Sequence, residues 1–201
     1  TYDVIMNGEK PENAVVTTKF GSIMPTNREL TGALVELVNT DEREFVLKKA
    51  LAPLKDKYDY IFIDCPPSLE LLTLNALCAA DSVIVPVQCE YFALEGLTDL
   101  VNTVKMINKR LNPDLKFEGF LLTMYDPRTK LSLEVEGEIK KFFGSKVYNI
   151  RIPRNVRISE APSHGEPVIA YDKSSKGSKA YLKLASEFLA AQGEKQPRLF
   201  W

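Results

Sequence analysis

An α/β domain, with a mostly parallel sheet flanked by helices, is the fold class this sequence predicts. From residue 58 onward, apolar runs of strand length alternate with segments of helical period, the pattern of stacked strand-helix-strand units. The run 61–63, Ile-Phe-Ile, is apolar without alternation, as in a strand covered by helices on both faces. With 45% hydrophobic and 26% charged residues, the 201-residue chain has the composition of a globular domain able to bury a core.

Residues 1–6 read as the tail of a helix, and 21–25 as a short strand ended by Pro25. Helices are expected over 30–38 and 45–54, joined by the polar stretch 39–44. The clearest strands are 60–64, 82–87, 117–124 and 146–152, and the helices between them are 71–80, 94–111 and 132–143. In the second of these helices Leu97, Leu100, Val101, Val104 and Ile107 fall three or four apart, forming one apolar stripe for the core. One domain over 1–192 is expected, followed by a polar, frayed tail, 193–201.

No apolar run is long enough to cross a bilayer, and the first residues lack a secretory pattern, so a cytoplasmic protein is expected, without membrane attachment. Cys65, Cys78 and Cys89 show no C-x-x-C spacing, and the one histidine, His164, has no ligand companion, which argues against a structural metal or disulfide framework. Charge is unevenly distributed. Residues 144–183 hold eight Lys/Arg against three acids, a net +5, leaving −6 for the rest of a chain whose total is −1. Such separation points to a polyanion on one face, with a solvated basic surface as the plainer alternative.

The strongest local signal is YIFIDCPPS, residues 60–68, an apolar run ending in Asp64 and followed by Pro66 and Pro67. Ligands of open parallel sheets gather beyond the carboxyl ends of the strands, where an acid can hold magnesium beside nucleotide phosphates. The two prolines fix φ and remove amide donors, forcing an extended exit. Taken alone, an acid that merely caps the next turn is an equal reading.

YDYIFIDCPPSLELLTLNAL followed by ADSVIVPVQCEYFALEGL closely resembles the ParA/Soj family of chromosome and plasmid partition ATPases. EGFLLTMYDPRTKLS, IPRNVRISEAPSHGEPVIAYD and SKGSKAYLKLASEFL resemble the same family in the same order, so the likeness spans nearly the whole chain. It implies a P-loop NTPase-like fold of the MinD/ParA type and an ATP hydrolase that uses ATP/ADP and Mg2+. It also implies ATP-dependent homodimerisation, non-specific binding to double-stranded DNA, a ParB-type partner and association with the nucleoid.

The sequence departs from that family in one respect: it has no G-x-x-x-x-G-K-[ST] loop, and no glycine is followed by lysine. Backbone amides and lysines of that loop supply most of the phosphate-binding energy. The first strand and P-loop of the family are therefore read as missing, and these 201 residues are expected to bind little nucleotide and to be inactive alone.

By resemblance, Asp64 is the Walker B acid near magnesium, held through water, and Cys65, Pro66 and Pro67 begin the switch segment. Thr123 and Met124, with Pro153 and Asn155, match the positions that surround adenine; packing at a strand end is the plainer reading for Met124 and Pro153. The DNA face is assigned to Arg151, Arg154 and Arg157 with Lys176, Lys179 and Lys183, whose spacing lets the lysines share one helical face. Glu90 and Glu95 are placed near the nucleotide or dimer face by the same likeness. Two alternatives remain open: a degenerate non-enzymatic module that binds DNA or a partner, and a MinD-like division regulator, for which no basic amphipathic carboxyl-terminal helix is evident.

Overall fold

The computed structural model describes residues 1–66, 68, 70–90 and 93–194. They fall into two compact units, one formed by residues 1–83 with 103–116 and the other by 84–102 with 117 onward.

In the first unit the helices α1 (Tyr2–Met6), α2 (Pro11–Ala14), α3 (Leu30–Glu36), α4 (Val46–Leu51) and α5 (Leu71–Ala79) accompany a hairpin of β1 (Val16–Thr18) and β2 (Gly21–Ile23). The hairpin pairs Val16 with Ile23 and Thr18 with Gly21. The expected strand at 21–25 is therefore real but shorter, and its partner β1 went unread because Val-Thr-Thr is too short to show a period. Ile5, Ala33, Leu37, Leu47, Leu51, Leu54, Ala76 and Ala79 form the core of this unit. Buried Asn75 fastens α5 to α4: its Oδ1 accepts from the Leu47 amide at 3.1 Å, and its Nδ2 donates to the carbonyl of Arg43 at 2.8 Å. Asn112, also buried, donates to the carbonyls of Leu77 and Ala80 at the end of α5, 2.9 and 2.8 Å away. Both amides satisfy backbone groups that would otherwise be buried without partners.

Residues 60–66 do not form the expected strand; they join no strand ladder among the described residues. Ile61 is 40% and Phe62 72% exposed, so the run is not sandwiched between helices either. An apolar sequence supplies side chains for two covered faces, but a strand also needs neighbouring backbone to exchange hydrogen bonds with.

The longest strands, β3 (Ser82–Gln88) and β4 (Lys116–Thr123), pair with each other in a sheet. Helix α6 (Ala93–Arg110) buries Leu97, Val101, Val104 and Ile107, as its apolar stripe predicts. Beyond β4 come α7 (Lys130–Phe143), α8 (Val156–Glu160), α9 (Val168–Tyr171) and α10 (Lys176–Ala191). Thr129 caps α7, accepting from the Ser132 amide at 3.3 Å, and Ser175 caps α10, accepting from that of Ser178 at 3.1 Å. Gly193, at φ 78°, ends α10: its amide donates to Ala190 and that of Glu194 to Leu189, both at 3.1 Å.

Residues 147–153 run beside β4 in the parallel sense, bridging Phe120 to Val147 and Tyr125 to Pro153. The expected continuous strand 146–152 is interrupted. It begins as a 3-10 turn, Gly144–Lys146, and the amides of Asn149 and Ile150 donate to the Glu187 carboxylate of α10, at 2.7 and 3.0 Å, instead of serving a sheet ladder. Gly119 permits this approach, because a Cβ there would stand 2.5 Å from the ring of buried Tyr148. Leu121, Tyr148, Ile152 and Ala180 form one core cluster of this unit, with Ile84, Ile158 and Leu184 against it.

Candidate functional site

The carboxyl ends of β4 and of the neighbouring 147–153 segment lie side by side within the second unit. The amide of Ile152 donates to Leu122 at 2.9 Å, that of Tyr125 to Ile152 at 3.0 Å, and that of Arg154 to Tyr125 at 3.3 Å. This interlacing brings Thr123 and Met124 together with Pro153 and Asn155, the four residues the sequence assigns to a base.

Met124 sits at φ 50°, in the left-handed region, although it is not glycine, and is 45% exposed. That conformation costs an L-residue about 1–2 kcal/mol, so the surrounding hydrogen bonds must hold it. Asn155 caps α8, its Oδ1 accepting from the Arg157 amide at 3.0 Å. With the oxygen so engaged, the carboxamide keeps its Nδ2 protons for an acceptor.

An ion cluster around the buried Glu136, unread in the sequence, stands directly behind this edge. Glu136 of α7, 8% exposed, accepts from the Tyr125 hydroxyl at 2.6 Å and from Arg151 Nε at 3.0 Å. Arg151 Nη2 bonds its other oxygen, which also pairs with Lys140 at 2.7 Å. The Arg151 guanidinium lies 5.3 Å from the centre of the Tyr125 ring. Hydrogen bonding from Arg151 in particular holds the Glu136 carboxyl down to about 2, against the opposing effect of burial, while the same carboxylate raises the Tyr125 phenol. Burial pushes the adjacent Cys89 thiol up to about 11, leaving it a protonated apolar filler. One sequence signal could have exposed the cluster: Glu136 shares a helical face with Ser132, Val135 and Ile139, all buried, so an acid stands in an apolar stripe.

The cations of the predicted polyanion face divide into two sets. Arg151 is committed to Glu136, and Arg157 is paired with Glu160 at 2.8 Å and Asp172 at 3.5 Å. Arg154 keeps a 70% exposed side chain, 3.9 Å from Glu90. Lys176, Lys179 and Lys183 are exposed along α10 and enter no ion pair among the described residues. Where α10 meets α8 the spacing is fixed by Gly177, whose absent Cβ would lie 2.6 Å from Ile158.

In the first unit Asp64, Cys65 and Pro66 are exposed, and Cys65 Sγ is 3.7 Å from the Ile63 carbonyl. Pro67 lies outside the described residues, as does the tail from 195 onward. No group of three or more His, Cys, Asp or Glu poised for a metal exists among the described residues. Glu95 is an exposed acid in the first turn of α6. No described helix is long and apolar enough to cross a membrane.

Comparison with known proteins decides the family. The AAA-domain model AAA_31 matches residues 1–117. The sporulation initiation inhibitor protein Soj of Bacillus subtilis strain 168 is 54% identical over 194 residues, covering 96% of this chain and 76% of the relative. The chain belongs to the ParA/Soj family of chromosome-partitioning ATPases. The chromosome partitioning protein ParA of Myxococcus xanthus is 50% identical, over 98% of this chain and 70% of the relative.

Among solved structures, cobyrinic acid a,c-diamide synthase from Mycobacterium smegmatis, with bound ATP analog and magnesium, superposes with a TM-score of 0.79 at 36% identity, over 98% of this chain and 74% of that one. The cell division ATPase MinD of Pyrococcus furiosus gives 0.73 at 25% identity, over 94% and 74%. The α/β P-loop NTPase-like class expected from the sequence is thus the fold of this ParA/Soj chain. Its irregular 60–66 segment is a local departure within that class.

Proposed function

We propose that this chain is the body of a partition ATPase whose strand ends carry part of a Mg·ATP or Mg·ADP site and whose exposed α10 face binds double-stranded DNA. The observation that carries the reading is the convergence of Thr123, Met124, Pro153 and Asn155 on one hydrogen-bonded edge. There an exposed methionine side chain and a proline offer apolar contact to a base, and the Asn155 amide offers a donor. Asp64 is the acid for magnesium, which when bound neutralises charge on the phosphates. Cys65, Pro66 and Pro67 form the segment that answers to the terminal phosphate. Homodimerisation, a ParB-type partner and a cytoplasmic, nucleoid-bound location belong to this proposal, supported by the likeness to the ParA/Soj family.

The DNA face rests on Lys176, Lys179, Lys183 and Arg154, whose charges are exposed. Arg151 and Arg157 contribute less, since carboxylates of the chain already hold them. Contacts of clustered lysines with phosphates carry no sequence information. Replacing Lys176, Lys179 and Lys183 by Ala should therefore weaken binding equally on two unrelated duplexes and flatten the log-log salt slope by about 0.9 per lysine that contacts phosphate. Unchanged affinity would reduce the lysines to a solvated surface.

The 201 residues contain no G-x-x-x-x-G-K-[ST] loop, so weak ATP binding and no steady turnover are expected of them by themselves. Micromolar affinity for labelled ATP would reject that part and leave the DNA reading standing.

A further inference from the structure

We propose that Glu136 is a positioning residue for the base-flanking turn, acting through Tyr125 and Arg151 and touching no nucleotide itself; this rests on the base-edge reading above. Met124 occupies a left-handed conformation between Thr123, the last residue of β4, and Tyr125. Tyr125 is the only one of the three that is tied down on both backbone and side chain among the described contacts. Its amide and carbonyl bond Ile152 and Arg154, its backbone forms a parallel bridge with Pro153, and its hydroxyl ends on Glu136.

Arg151, held by the same carboxylate, lies over the Tyr125 ring and is anchored to the Asn149 carbonyl at 3.0 Å. One buried carboxylate thus fixes the residue after Met124 and, on the facing segment, the residue two before Pro153. A strained turn persists only where its surroundings over-determine it, and binding geometry depends on side chains locked by the groups behind them. Lys140 completes the neutralisation of Glu136 from one turn further along α7. Released from the carboxylate, the Tyr125 side chain loses its anchor, Met124 relaxes toward ordinary φ, and the spacing between Met124 and Pro153 is no longer set.

The test must separate positioning from stability, because a lone Glu136 substitution strands Arg151. The double variant Glu136→Leu with Arg151→Leu removes both charges and keeps apolar volume, an exchange that buried ion pairs often tolerate. Hydrogen exchange in the intact chain is the first readout. The proposal expects the Tyr125 and Arg154 amides of the double variant to exchange at least tenfold faster, with those of Phe120, Leu121 and Leu122 and the melting temperature nearly unchanged. Parental rates at Tyr125 and Arg154 overturn it, and uniform acceleration along β4 overturns it in favour of a purely structural role.

Titration with millimolar ATP, GTP and inorganic tripolyphosphate, followed by chemical-shift changes, is the second readout, because only weak nucleotide binding is expected of these residues. The expected result is an ATP-over-GTP preference at least tenfold smaller in the double variant, with tripolyphosphate binding as before. A preference equal to the parent's overturns the positioning role. Should the parent chain show no preference for an adenine base, the base-edge reading fails, while the exchange rates still decide whether Glu136 holds the turn.

Discussion

Two segments that the sequence marks in the same way, each as an apolar strand ending near chemically useful residues, fold quite differently. Residues 117–123 run in β4 beside the parallel 147–153 segment, with Phe120 and Leu122 fully buried, and deliver Thr123 and Met124 to an edge fixed by hydrogen bonds and an ion cluster. Residues 60–66 carry an even more apolar run to Asp64, yet join no strand ladder among the described residues and leave Phe62 72% exposed. The difference teaches that apolar content nominates a strand, while the backbone partner makes it one. It also predicts unequal energetics: substitutions should be costly behind the first edge and mild along the second segment.

The largest effect is expected at Glu136. Its replacement by Ala leaves Arg151, Lys140 and the Tyr125 hydroxyl without their shared acceptor, and breaking a buried pair from one side costs about 3–5 kcal/mol. Because the Arg151 side chain is about one-third exposed and can regain water, a smaller loss, about 2–3 kcal/mol, is expected here. Urea unfolding measures it. A loss below about 1 kcal/mol, the scale of an exposed ion pair, would erase the contrast between the two segments.

Next in size is an acid limb in the stability curve. Glu136 has a folded pKa of about 2, depressed chiefly by Arg151. A group depressed in this way stabilises the fold above its unfolded value, about 4.3, and that stability is lost as pH falls toward 2. The difference in unfolding free energy between parent and Glu136→Gln should therefore be constant above about pH 5 and shrink by up to about 2–3 kcal/mol as acid is added. Comparing the two proteins cancels Asp126, whose carboxyl Arg128 also lowers to about 2. A difference that does not change with pH would mean the carboxylate is not held by charge.

Much of this architecture was legible because it is written in periods. Of the stripe Leu97, Leu100, Val101, Val104, Ile107 all but the half-buried Leu100 are buried as spaced, and the alternation of runs and helices from 82 onward gives β3, α6, β4 and α7 nearly at their expected bounds. What escaped depends on partners far along the chain. Nothing near residue 150 says that Glu187 will take two backbone amides and break a strand, and nothing near 136 names Arg151 as its counterion. The residues assigned to a base were named by likeness to a family; that they converge is visible only once the Tyr125 amide donates to Ile152 and the Ile152 amide to Leu122.

The smallest effect is expected at Phe62. A phenylalanine fully inside a sheet costs about 3–5 kcal/mol when truncated, because both its transfer energy and the cavity count. Here the side chain is mostly in water, and its ring stands 6.4 Å from that of Tyr60 in a tilted arrangement, at the outer limit of useful aromatic contact. Phe62→Ser should therefore change unfolding free energy by no more than about 0.5 kcal/mol, as surface substitutions do. It should also lower any tendency of the protein to self-associate, since an exposed run containing Ile61 and Phe62 is the kind of surface that recruits another chain. Sedimentation of parent and variant, beside urea melts of both, separates these effects. A loss near the truncation values for a packed core would show residues 60–66 to be covered on both faces in solution, and the two segments would then differ in sequence alone.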